Sequence, residues 1–593
     1  MILNKLLLKT KKFFIYDIID FAINQENVEN LTKTEKVKVF LHYLKSQPII
    51  KIFFIAQIII LNIYSLLRCF KFLEKNTEQN RKIIYDKFQK YNFLKFKKVM
   101  ELVLALVFLV KYNDEKLIKE KKNLLFKNKG HYENIVIGSG PGGAVTVNTL
   151  LKNKRKTLLI EKGYKTSIPK TKHPAQEFFH KWKYSGLSGS IGKFDLQYAS
   201  AECYGGGSEI NSGLYHPIDN LFIKKIVEKN LIENLSEFDD DWSEITSNDE
   251  KNKLNEKDQN LINYFDSGSR HLGWRYENVK KFYKSNGSQD KQSMSKTLLK
   301  EAENYGLEVL LNHGVKKIKK LNNHWEISFF NKNKKITCNN LFLCCGTPYT
   351  LNLLKRSGIL PWRYNDNFHF HPMIKIVAKF PLKVNNKINK NVISSQITEF
   401  YPKYLFGNAA SDIQFLNISA IGNADFRSCV EKDSEYMSIL HSTFTNGKCS
   451  FLKIPFIDNP IITFNLSKKD FQIVKEGVFN LIKFAFKSGA EYVFLIDNQK
   501  TKISSFEEDK IKEILESAQI NFSSVHLLGG INFGEKPENL FNSYGKCKNQ
   551  KYSNLYVNDS SLISENLLKN PQGAIMSLAK RNILNFIAET KND

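Results

Sequence analysis

A chain of 593 residues, 42% of them hydrophobic, is too long for one small domain and has apolar side chains enough for roughly two to four packed units. With 88 Lys and Arg against 60 Asp and Glu the formal net charge is +28, which favours anionic partners. The lysines are scattered, however, and no recognition motif, zinc-finger spacing or basic arm is present, so nucleic acid is set aside and an anionic membrane surface is the better candidate.

The opening residues, MILNKLLLKTKKFFIYDIIDFA, are interrupted by Lys5, Lys9, Lys11 and Lys12 and lack a small-residue cleavage site, unlike a secretory signal. Residues 1–125 contain no glycine and one proline, Pro48, and apolar residues recur at helical spacing through 34–44, 49–73 and 93–112. They are expected to form a helical domain. The stretch 49–67, which includes Lys51, Gln57 and Asn62, admits three readings: a buried helix of the bundle, an interfacial helix lying on lipid, or a membrane span.

A Lys-rich stretch at 116–129 leads into a strand-like run at 132–137, after which strand-like and helix-like segments alternate as in α/β proteins. Stretches 126–220, 286–365 and 520–593 read as parts of a nucleotide-binding core, the last carrying active-site residues. Stretches 221–285 and 366–519, polar and aromatic, are expected to fold together as an α+β substrate domain. Eight cysteines run through the chain with no Cys-x-x-Cys pair and no His cluster at ligand spacing. No metal site is read, and a reducing, cytoplasmic setting, with attachment to the inner face of a membrane left open, fits better than a disulfide framework.

The strongest local signal is Gly138-Ser139-Gly140-Pro141-Gly142-Gly143, placed between the strand-like 132–137 and a helix-like run at 144–151. Gly138 permits the tight turn, Gly140 lets the backbone approach a pyrophosphate, and Gly143 allows close helix–strand packing, with helix-start N–H groups meeting the phosphate charge. Glu161, at the end of a second strand, stands near the offset of an acid that binds ribose hydroxyls. A plain structural turn is the competing reading, and the order of strand, glycines, helix, strand and acid favours a Rossmann-type dinucleotide site. The motif alone does not separate FAD from NAD.

Further motifs follow: Gly205-Gly206-Gly207-Ser208-Glu209-Ile210-Asn211, then Cys344-Cys345-Gly346-Thr347-Pro348 with Leu353-Leu354-Lys355-Arg356-Ser357-Gly358. After these come His526-Leu527-Leu528-Gly529-Gly530, Asn558-Asp559-Ser560-Ser561 and Asn570-Pro571. Through them the chain resembles the glucose–methanol–choline (GMC) oxidoreductases. The C-terminal block is similar to the cholesterol-oxidase-like branch, and the layout is similar to that of long-chain alcohol oxidases. The resemblance implies FAD as cofactor. It places Gly206, Gly207, Ser208 and Asn211 beside the flavin, the Val315 backbone at the adenine, and Gly346, Asp559, Ser560 and Pro571 in the cofactor site. It further implies His526 as the active-site histidine and Asn570 as its polar companion. The chain departs from the family at Ser560, Ser564 and His216, and in the ending Gly530-Ile531-Asn532-Phe533-Gly534.

The implied chemistry is oxidation of a CH–OH group in a lipid-like or sugar alcohol. A neutral imidazole at His526, near its own pKa, would accept the hydroxyl proton, and Asn570 would donate to the developing alkoxide. The electron acceptor is oxygen, a quinone or a protein. Two other readings stay open: a flavin enzyme acting on another bond, and a catalytically silent FAD-stabilised module that docks on membranes. His369 and His371, at alternate positions in Phe368-His369-Phe370-His371-Pro372, are expected to share a face, with no third metal ligand evident.

Overall fold

The computed structural model describes residues 17–18, 48–111 without 70, 72 and 92–95, and most of 130–590. Within that last range it leaves out 167–174, 191, 195, 219, 222–223, 225–239, 248–255, 285–289, 331, 362–363, 365–367, 386–391, 446, 453–460 and 564–566. The expected helical run at 34–44, the Lys-rich 116–129 and Ser564 lie outside the described residues.

Strands buried on both faces require near-continuous apolar runs. Thr157–Ile160 is buried throughout, as are residues 134–137 of His131–Ile137. These two strands pair in parallel. Thr157–Ile160 pairs onward with Glu308–Leu310, and His131–Ile137 with Lys332–Leu343, whose far end pairs with Leu555–Val557. In chain order this is the 3-2-1-4-5 arrangement of a doubly wound dinucleotide-binding sheet. The first half of Lys332–Leu343 pairs instead with His324–Phe329, which pairs with Val315–Leu321 in an antiparallel meander.

Helices Pro141–Lys152 and Gln572–Glu589 share one apolar cluster, in which Ala144 and Val147 join Met576, Ala579 and Ile583. Phe342 stacks on Tyr556 at 4.8 Å and meets Phe586 edge-on at 5.1 Å. Each such pair adds about 0.5–1.5 kcal/mol beyond burial, so the C-terminal helix is fixed to the middle of the sheet.

A second, ten-stranded sheet is assembled from distant segments. Its order runs Ser188–Gly189, Leu196–Tyr198, Phe522–Ser524, Met373–Lys379, Met437–Phe444, Tyr404–Ala409, Ser395–Ile397 and Tyr276–Asn278, with Tyr492–Leu495 and Lys502–Ile503 attached at Met373–Lys379. Helix Lys468–Lys487, opened by a Ser467–Asp470 capping box, packs against one face, where Gly477 leaves room for the Phe444 ring. On the other face Val377, Ile439 and Phe494 lie under helices Ile413–Ser419 and Ala424–Asp433. The expected class, α/β with a Rossmann-type core and an α+β companion, is present.

Helices Pro48–Cys69, Glu78–Lys90 and Phe96–Lys111 join in a separate apolar cluster that also takes in Ile418, Ile421 and Leu187, so they rest on the rest of the molecule. Within the stretch 49–67, Phe54, Ile58 and Leu61 are buried while Ile59, Ile63, Leu66 and Leu67 are exposed. Among the described residues no helix is long and apolar enough to cross a membrane.

Candidate active site

The glycine turn is compressed on every side but one. Gly138 adopts φ +103°, a conformation open to glycine, and a Cβ there would strike the Cys344 carbonyl. A Cβ at Gly142 would strike the Asn558 carbonyl, one at Gly143 the Gly138 carbonyl, and one at Gly206 the backbone of Gly140. At Gly140, by contrast, the nearest atom to an added Cβ is 4.0 Å away, and at Gly207 nothing lies within 4 Å. The open ground is beside the pyrophosphate turn and the second glycine loop, where a dinucleotide needs to lie against backbone.

Two buried carboxylates organise this cradle. Glu161 accepts from the Ser139 N–H (3.1 Å) and hydroxyl (2.6 Å) through Oε2, and from the Gly163 N–H (2.7 Å) through Oε1. Ser139 Oγ in turn accepts from the Gly205 N–H at 3.0 Å, which ties the two glycine loops together. Asp559 accepts from the Gly346 N–H (2.8 Å) and Thr350 hydroxyl through Oδ2, and from the Ser561 N–H (2.8 Å) and hydroxyl through Oδ1. Burial pushes both carboxyls up, against the pull of these donors. All four acceptor directions of the Asp559 carboxylate are taken by protein, so its side chain holds the Gly346 turn, and its carbonyl accepts from the Leu562 N–H at 3.2 Å. Ser560 Oγ accepts from the Thr347 N–H at 3.1 Å, and Thr347 donates to the Gly529 carbonyl at 3.0 Å. The turn is thereby joined to the segment that carries His526.

His526 sits at the seam of two sheets. Phe522–Ser524 belongs to the ten-stranded sheet and Leu527–Gly529 pairs with Phe368–Phe370, so only Val525 and His526 cross between them. That antiparallel register pairs Phe370 with Leu527, and one further step brings His371 to His526. Their Nδ1 atoms are 3.0 Å apart with the rings edge-to-face. Burial lowers the His526 pKa to about 4 and pushes His371 well below its ordinary value, helped there by His526 and His369. Both rings are neutral at neutral pH, so His526 is depressed rather than poised near 6.5. His371 Nε2 is buried without a hydrogen-bond partner. His371 lies just beyond the end of its strand and is buried, and His369 is half-buried within it.

Asn570 is half-buried and its N–H donates to His216 Nδ1 at 3.3 Å; His216 Nε2 meets Gln396 Oε1 at 3.0 Å. Asn211 donates to Gln572 Oε1 at 2.6 Å, which joins the second glycine loop to the start of the C-terminal helix just after buried Pro571. Ser208 Oγ donates to the Gly205 carbonyl (2.8 Å) and accepts from the Met294 N–H (2.9 Å). The Val315 carbonyl accepts from Arg356 Nη2 at 2.9 Å, which occupies one of its backbone groups. All eight cysteines are free thiols, and among the described residues no group of three or more His, Cys, Asp or Glu could hold a metal ion.

This architecture is that of a Rossmann-type dinucleotide-binding protein, and comparison with known proteins narrows the class. Residues 457–579 match the C-terminal family model of GMC oxidoreductases. An uncharacterised GMC-type oxidoreductase, y4nJ, of Sinorhizobium fredii (strain NBRC 101917 / NGR234) is 25% identical over 489 residues, 75% of this chain and 93% of that protein. Pyridoxine 4-oxidase from Mesorbium loti superposes with a TM-score of 0.60 over 77% of this chain and 99% of that one, at 13% identity. A variant of formate oxidase from Aspergillus oryzae RIB40, described for its effect on FAD modification, superposes with a TM-score of 0.61 over 79% and 100%, at 12% identity. The chain is thus similar to the GMC oxidoreductases, its residues 457–579 matching their C-terminal domain, and one protein on whose fold it superposes is described for modification of its FAD. The open ground at Gly140 and Gly207, between loops that admit no side chain, fits such a group.

Sequence reasoning missed His371 as the neighbour of His526. The signal for His371 lay in Phe368-His369-Phe370-His371-Pro372, but no spacing rule brings residues 371 and 526 together.

Proposed function

We propose that this FAD-dependent oxidoreductase acts on the CH–OH group of an alcohol, lipid-like or sugar, with His526 as base and Asn570 as the donor to the developing alkoxide. The observation that carries the reading is the neutral His526 imidazole at the seam of the two sheets, in the segment that Thr347 ties to the Gly346 turn. For His526 to take a proton on Nε2, its Nδ1 must carry hydrogen and donate to His371 Nδ1, 3.0 Å away. His371 is then a positioning residue that fixes the tautomer, and its own Nε2 carries hydrogen. His216 has the complementary order, accepting from the Asn570 N–H on Nδ1 and donating from Nε2 to Gln396, which steadies the Asn570 backbone. FAD, held by Gly138, Gly140, Gly207, Glu161 and the main chain of Asp559, supplies the hydride acceptor when bound. Oxygen is the acceptor to test first, ahead of a quinone or a protein, since both named structural neighbours are oxidases.

Anaerobic mixing of the purified yellow protein with a panel of alcohols tests the reading: at least one should bleach the flavin, and His526→Gln should greatly slow the bleaching while the protein still binds its flavin. A protein that no alcohol reduces, or bleaching indifferent to His526→Gln, refutes it.

We also propose that an anionic lipid surface is a partner. Ile59, Ile63, Leu66 and Leu67 recur at helical spacing as an exposed apolar stripe on Pro48–Cys69, in a chain of net charge +28.

A further inference from the structure

Across the ten-stranded sheet a single row of residues links the His526 end of the site to the Asn570 end. Lys375 lies opposite His441, and His441 lies opposite Gly407. The pairing of Ile397 with Phe406 sets Gln396 beside Gly407, and Gln396 receives His216, the partner of Asn570. Residues opposite one another in a sheet share a face, so Lys375, His441, the bare backbone of Gly407 and Gln396 form one floor. The His441 ring lies over Gly407, since a Cβ added there would come within 3.1 Å of Nε2, and its Nδ1 meets Thr443 Oγ1 at 3.0 Å. Lys375, directly opposite in the sheet, and His526 are both close enough to act electrostatically on His441.

The floor is unbalanced in charge. Among the described residues Lys375 has no carboxylate partner. The carboxylate in the row, Glu277, is on the strand at the sheet's far end, about 19 Å away at the usual interstrand spacing, and is engaged by Thr398 and Lys569. Lys375, His441 and His526 are each half-buried, so each keeps some accessible surface. Burial brings the Lys375 ammonium down to about 8, still charged at neutral pH, while His441 falls to about 3 and is neutral. One uncompensated positive charge, flanked by a neutral imidazole, suits one negative charge.

We propose that Lys375 is a specificity residue that binds a carboxylate of the substrate, so that the alcohol oxidised at His526 is one that bears an acid group. This rests on the alcohol-oxidation reading and narrows it.

The test titrates the FAD-bearing protein with benzoate and acetate, and with their neutral counterparts benzamide and acetamide, following the visible flavin spectrum and thermal stabilisation. At least one carboxylate should bind about tenfold or more tighter than its amide. Lys375→Met should erase that preference, and Lys375→Arg should keep it. Equal binding of acid and amide, no binding of either acid, or a preference that survives Lys375→Met overturns the proposal. If Lys375→Met does not fold, the wild-type preference and its retention in Lys375→Arg still decide. Anaerobic bleaching by 4-(hydroxymethyl)benzoate and by its methyl ester separates the two readings. Carboxylate binding without bleaching by any alcohol supports the anion site and removes the alcohol reading. Equal bleaching by acid and ester, unchanged in Lys375→Met, removes the anion site and leaves the alcohol reading in place.

Discussion

Burial holds His526 near 4 and His441 near 3, against an ordinary 6.5 for imidazole. The unfolded chain therefore takes up protons from about pH 6.5 downward that the folded state refuses until about pH 4 and below. Stability present above pH 6.5 is lost as pH falls through that window, and His371 contributes in the same sense. Glu161 and Asp559, both pushed up, act oppositely and offset part of the loss. The thermal midpoint of wild type should drop between pH 6.5 and 4, and His441→Gln should flatten that dependence; an unchanged slope in the variant refutes the argument. In catalysis, His526→Gln should slow flavin reduction by about 10²–10⁴-fold in stopped-flow measurements, the range a positioned base contributes. At this scale the sequence could single out a residue that sat inside an ordered motif, as His526, Asp559 and Glu161 do, without showing its role. It was not legible for Lys375 and His441, whose meeting depends on strand register across residues with no local pattern between them.

The strand–turn–helix that begins at His131 was readable because its chemistry is local: the apolar run, the glycines and the helix follow one another in the chain. Gly142 is the exception. It has no place in the expected division of labour among Gly138, Gly140 and Gly143, yet a side chain there would meet the Asn558 carbonyl, which arrives from the far end of the sequence. Gly142→Ala should therefore lower the thermal midpoint of FAD-free protein, with a cost of about 1–3 kcal/mol typical of overpacking. Gly207→Ala should leave the FAD-free midpoint unchanged, since nothing lies within 4 Å, and weaken FAD binding, because the added methyl enters the ground kept for the cofactor. Equal behaviour of the two variants in calorimetry and FAD titration contradicts this assignment.

For the molecule as a whole, the alternation of strands and helices made the Rossmann core visible, but not how segments trade between sheets. Strands from 188–198 and 522–524 join the ten-stranded sheet, although the sequence reading groups 126–220 and 520–593 with the nucleotide-binding core. Short edge strands such as Ser188–Gly189 carry too few residues for any periodicity to announce a partner. The helical region is attached through Ile418 and Ile421, which leaves the Ile59, Ile63, Leu66 and Leu67 stripe facing outward. Full-length protein should float with vesicles containing phosphatidylserine at low salt, and a Leu66→Asp, Leu67→Asp variant should remain behind while keeping its flavin. Equal flotation of both proteins, or none of wild type, removes the lipid partner.

The two-residue crossing at Val525 and His526 has a mechanical side. A base bolted to neither layer alone travels with any slip between them, so chemical competence becomes a gauge of how well the layers are docked. Mild denaturant or pressure that parts the sheets by a fraction of a bond length should silence turnover while both layers remain folded, with loss of activity preceding loss of circular dichroism.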